Sequence, residues 1–166
     1  MDAKNSSTAK VSSPPTPDAA STRHLTITRI IDAPRALVFK AWTDPRHLAQ
    51  WFTLDTLKTI HSEIDVRPGG KWVMKLLAPD GVEITARRVY REIVEPERIV
   101  FYEKCDAGGN VILDGTHTVT FEEHAGKTTI TVKCDLVTPF DAGNQQGWSG
   151  GWNEVLDKLA AHVTNR

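Results

Sequence analysis

The chain has 166 residues, 40% of them hydrophobic and 25% charged, enough for one domain with a real core and too few for two comfortable ones. Twenty Lys and Arg stand against 21 Asp and Glu, a formal net charge of −1, so no basic field exists to hold nucleic acid or an anionic membrane. No apolar run approaches the roughly 20 residues that a bilayer-crossing helix needs, which argues for a soluble protein without membrane insertion. Residues 1–22 are rich in Ser, Thr, Pro and Ala and hold no signal-peptide core. They bury too little to offset ordering entropy, so the expectation is a disordered tail ahead of one domain over 23–166.

From His24 to Asp32, HLTITRIID alternates and is rich in β-branched residues, which predicts a strand with Leu25, Ile27 and Arg29 on one face. Asp32, two residues before Pro34, reads as the cap of a short helix carrying Val38, Ala41 and Trp42. Asp44-Pro45 restarts the helix, with Leu48, Trp51 and Phe52 on one side. Turn chemistry at Pro68-Gly69-Gly70, Pro79-Asp80-Gly81, Glu95-Pro96, Gly108-Gly109-Asn110 and Ala125-Gly126 then separates six period-two segments. These are DTLKTIHSEIDV, KWVMKLLA, VEITARRVYREIV, RIVFYEK, THTVTFEEH and KTTITVKCDLV. Connections this short imply antiparallel neighbours, about seven strands in all.

The closing stretch GWSGGWNEVLDKLAAHV places Trp148, Trp152, Val155, Leu156, Leu159 and Val163 on one helical stripe. Such a stripe needs the inner face of the sheet. The expected fold is therefore α+β, a curved antiparallel sheet wrapped around a long C-terminal helix, its open end plugged by the two short helices. Gly147, Gly150 and Gly151 fall on the opposite flank, which continues through Glu154 and Lys158 into solvent. Two readings stay open: a frayed start before a helix that begins near Gly151, or a soft lid that admits a ligand.

The segments ITRIIDAPRALVFKAWTDPRHLAQWF, RPGGKWVMKLLAPDG, EIVEPERIVFYEK and GWNEVLDKLAAHV resemble the START-like, helix-grip (SRPBCC) superfamily. Within it they are similar to the C-terminal domain of heat-shock-chaperone ATPase activators, the activator of Hsp90 ATPase homologue-like branch, over about residues 24–163. The resemblance is specific for fold and poor for function, since the superfamily spans lipid-transfer proteins, allergens, cyclases, hormone receptors and chaperone activators. It implies an internal cavity between sheet and helix. Alternation then selects a lining of Trp72, Met74, Arg88, Tyr90, His117, Val119 and Phe121 from the sheet, joined by Trp148, Trp152 and Leu156 from the helix. That lining suits a small hydrophobic or amphipathic ligand.

Trp42, Trp51 and Trp72 read as core before ligand platform. His117, the histidine that alternation sends inward, reads first as a satisfied core residue and second as a general base or partner of a ligand head. Arg88 shares its face with Ile84, Ala86 and Tyr90, and an unpaired interior guanidinium is untenable. Either a bulge near Arg87-Arg88 turns it out, or it meets a carboxylate of ligand or protein, such as Glu103. Cys105 and Cys134 lack a C-x-x-C partner or zinc-ligand histidines and are expected as separated, reduced thiols of a cytoplasmic protein. There is no Ser-His-Asp order, phosphate loop or metal cluster, so no catalytic set, metal or cofactor is expected.

The first functional reading is a binding module for a small hydrophobic molecule. A chaperone partner follows only from the resemblance, and those activators carry a separate N-terminal chaperone-binding domain where this chain has a short leading segment. A third reading is an enzyme using His117, Tyr90 or Arg88 for proton transfer or carbonyl polarisation. The outer sheet face could also support a homodimer.

Overall fold

A computed structural model describes the backbone of residues 21–138 and 145–164 and the side chains of 22–138 and 151–164. The elements are β1 (Ser21–Ile31), α1 (Arg35–Thr43), α2 (Pro45–Trp51), β2 (Lys58–Ile64), β3 (Lys71–Leu77), β4 (Glu83–Val94), β5 (Arg98–Ala107), β6 (Asn110–His124), β7 (Lys127–Thr138) and α3 (Gln145–Thr164). The strands form one antiparallel sheet in the order β1-β7-β6-β5-β4-β3-β2. β1 and β2 are thus the opposite edges, and α1 and α2 are the connection that carries the chain from one edge to the other. This is the expected helix-grip architecture.

Period-two burial defines the inner face. On β7 it takes Thr128, Ile130, Val132, Cys134, Leu136 and Thr138, and on β5 Ile99, Phe101, Glu103 and Cys105. α3 answers with Trp152, Val155, Leu156, Leu159 and Val163, all buried. Burying five large apolar side chains is worth on the order of 10 kcal/mol before entropy. Gly147, Gly150 and Gly151 together cost a helix about 3 kcal/mol relative to alanine, so the stripe wins and the helix extends from Gln145. The open alternative of a helix starting near Gly151 is thereby set aside.

Two local expectations are corrected, and a third point, left open by the sequence, is decided. Pro34, not Asp32, is the N-cap of α1, and it makes no side-chain cap bond. Glu123 at the end of β6 caps the helix instead, its Oε1 accepting from the Arg35 N–H at 2.7 Å. Second, β6 begins at Asn110 rather than Thr116, because Asp114-Gly115 resembles a turn yet continues the strand. Gly115 is needed there, since a Cβ would collide with the Asp135 carbonyl of β7. The true turn is Gly108-Gly109, whose φ values of 57° and 88° give the two-residue hairpin between the Ala107 and Asn110 pair. Third, the bulge of β4 lies between Tyr90 and Glu92, so Arg88 keeps its inward direction.

Candidate functional site

Alternation on four neighbouring strands brings one polar residue from each to the inner face. Arg88 of β4 is in register with Glu103 of β5, and His117 of β6 with Cys134 of β7. Arg88 Nη2 stands 3.2 Å from Glu103 Oε2, His117 Nε2 2.7 Å from Glu103 Oε1, and His117 Nδ1 3.2 Å from Cys134 Sγ. The row crosses the sheet, and the Trp152 ring of α3 packs against His117 with ring centres 5.8 Å apart. Arg88 and Glu103 are each 7% exposed and His117 1%.

Burial acting alone would raise the Glu103 carboxyl, but the Arg88 charge and the His117 hydrogen bond outweigh it and hold the group down to about 2. An ionised carboxylate only accepts, so the proton shared with His117 belongs to Nε2. Burial, with Glu103 and Asp135 nearby, pushes the Cys134 thiol up to about 12, which leaves an S–H free to donate to Nδ1. Both ring nitrogens of His117 are thereby engaged. His117 is a satisfied core histidine. Cys134 stays protonated and is no nucleophile.

Arg88 is built differently. Trp72 and Phe52 hold its guanidinium, with ring centres 4.2 and 5.3 Å from the central carbon. One nitrogen reaches Glu103. Nε and Nη1 are buried and have no hydrogen-bond partner among the described residues. Leaving a buried donor unsatisfied costs roughly 1–3 kcal/mol, more for a charged group, so an acceptor brought to this edge is strongly favoured. Trp72 Nε1 and Tyr90 Oη are buried and unpartnered as well, and burial raises the Tyr90 phenol.

A cavity of about 120 Å³ opens beside the row, between the sheet and α3. Arg88, Glu103 and His117 form its polar floor, and Met74 and Leu76 one wall. Gly151, Trp152 and Val155 supply the helix side, while Phe52, Thr53 and Leu54 make the rim. An apolar cavity of ~150 Å³ admits benzene, so this space suits one ring or a short chain.

Of the residues selected from sequence, Met74, Arg88, His117 and Trp152 line this cavity. Trp72, Tyr90, Val119, Phe121 and Leu156 are buried in the surrounding core without lining it. The Trp148 side chain lies outside the described residues. Thr53 and Leu54 of the rim escaped sequence reasoning because they lie between α2 and β2, where no periodicity operates, and Phe52, placed by periodicity on the face of α2, is the C-cap of that helix.

The rim also corrects the flank placed in solvent. Lys158 Nζ donates to the Thr53 carbonyl at 2.9 Å and to Asp55 Oδ1 at 2.7 Å, and Glu154 Oε2 accepts from the Asp55 N–H at 2.6 Å. Gly151 sits over Leu54, where an added Cβ would be 3.9 Å from Cδ2. A segment returning from elsewhere in the chain covers this flank, and the helix's own pattern carries no trace of it.

No helix among the described residues is long and apolar enough to cross a membrane. The comparisons with known proteins agree with the architecture. A family model described as activator of Hsp90 ATPase homolog 1-like protein matches residues 32–164. No curated protein matches the chain. Among solved structures, an uncharacterized protein from Rhizobium leguminosarum is similar with a TM-score of 0.78 and 27% identity, covering 89% of this chain and 97% of its own. A protein from Chromobacterium violaceum gives 0.73 and 27%, covering 84% and 96%. A protein from Rhizobium loti gives 0.78 and 24%, covering 86% and 98%, a likeness of fold alone. With the helix grip on the page and most of its length matched, the chain belongs to the activator of Hsp90 ATPase homolog 1-like family.

Proposed function

We propose that this protein binds one small, mostly apolar molecule between the sheet and α3. The observation that carries the reading is the buried guanidinium of Arg88, a residue lining an apolar cavity, with two nitrogens unpartnered among the described residues. A core built only for packing gains nothing from such an arrangement, whereas a binding site uses it to fix the polar end of a guest. Proton transfer is less well supported, because both His117 nitrogens are engaged and Tyr90 does not line the cavity. Native mass spectrometry of freshly purified full-length protein tests the reading. An excess mass that vanishes on denaturation is the expected result, and it should be absent from the Arg88→Met/Glu103→Gln double variant. A retained mass in that variant would place the guest elsewhere.

A co-chaperone role is the second reading, supported by the family description alone. Stimulation of an Hsp90-type ATPase by the purified chain would favour it. Unchanged turnover at saturating protein would remove it.

A further inference from the structure

The donor inventory of the cavity narrows the chemical class of its guest. Resting on the binding reading above, we infer that the site selects a neutral molecule ending in a carbonyl oxygen, a ketone, aldehyde or ester, over the matching carboxylate or hydrocarbon. Arg88 Nε and Nη1 are N–H donors without partners among the described residues. Each Glu103 oxygen already has a partner, one Arg88 and the other His117, and His117 Nδ1 faces the Cys134 thiol. The groups of the floor that lack a partner among the described residues are therefore donors, and a guest that supplies an acceptor completes them.

Charge decides between the two kinds of acceptor. The Arg88 charge is already met by Glu103, so an anionic guest would have to compete with that carboxylate at close range. Lys158, the cation at the rim, is committed to Thr53, Asp55 and Glu154. A carboxylate would enter as an uncompensated buried charge, which a dipolar carbonyl avoids. Trp72 and Phe52, themselves in contact with ring centres 4.8 Å apart, pack on the guanidinium, and N–H bonds from it to a carbonyl oxygen are straight in its plane. The volume of about 120 Å³, below the ~150 Å³ that takes benzene, limits the enclosed part of the guest to about one ring or a short chain.

The test is an NMR titration of the full-length protein near neutral pH with three probes of matched size: acetophenone, benzoate and cumene. Acetophenone should bind about tenfold or more tighter than either of the others, the scale of one hydrogen bond to a charged donor. In Arg88→Met/Glu103→Gln, which removes both charges and is checked for folding by its thermal melt, acetophenone should lose its advantage and match cumene within about twofold. Benzoate binding tightest, or cumene equal to acetophenone in the wild type, would leave the cavity reading standing and overturn the carbonyl selection. Failure of all three to bind would overturn both.

Discussion

Arg88 and Glu103 are the residues on which the account turns, and they make predictions as a pair. Arg88→Met alone leaves a buried carboxylate beside His117 and should cost about 3–5 kcal/mol in a denaturant melt. Adding Glu103→Gln should recover most of that loss, since removing both charges avoids stranding either. A double variant less stable than the single would contradict the pairing. The pH dependence has a definite sign. Glu103 is depressed from 4.5 to about 2, so its stabilisation is present above pH 4.5 and is lost as pH falls toward 2. Asp44, held low by the Arg46 side chain and backbone, titrates in the same window, so the comparison of wild type with Glu103→Gln isolates the buried group. The Gln variant should show the shallower loss of stability between those two pH values. At Cys105 and Cys134, both buried and with thiols pushed up to about 12 chiefly by burial, a thiol reagent should react only at the rate of unfolding. Prompt labelling of the folded protein would count against the packing around His117. The inward direction of Arg88 and His117 was legible because alternation on a strand is a strong local rule. The fate of Arg88 was not, because a bulge and an ion pair explain the same letters until register is known.

At the scale of elements, α3 and the rim segment over it flank the cavity, and on the proposed binding reading they control access. Gly151→Ala would set a methyl at 3.9 Å from Leu54, ordinary contact, while removing a helix penalty of about 1 kcal/mol. It should therefore raise stability by up to about 1 kcal/mol and slow ligand entry, read by melts and by stopped-flow binding of acetophenone. An unchanged association rate would show that entry lies elsewhere than the gap between Gly151 and Leu54. The buried stripe of α3 was legible as a 3.6-residue period, and so were the hairpin turns at Gly108-Gly109 and Ala125-Gly126. What failed was tertiary cover. Glu154 and Lys158 read as a solvent face because their partners, Thr53 and Asp55, are about a hundred positions away, and Glu123 replaced Asp32 at the start of α1 for the same reason.

For the whole molecule, the sheet and its gripped helix follow from pattern, whereas the cavity is a residue of how they fit together. Seven antiparallel strands with one apolar face require a cover, and α3 is the long apolar stripe available. Where the helix side chains are small, at Gly151, and the sheet presents Arg88 and Glu103 instead of an apolar group, packing stops short and leaves space. Sequence could name the strands that meet there but not the volume left between them. The most direct test of this account is the side-chain Nε–H resonance of Arg88 in a 1H–15N spectrum, recorded as acetophenone is added. The account predicts that this resonance shifts and gains protection from solvent exchange as Arg88 acquires its missing acceptor, with accompanying shifts at Met74 and Trp152. An Arg88 resonance that stays in place while perturbations gather on the outer sheet face would contradict it.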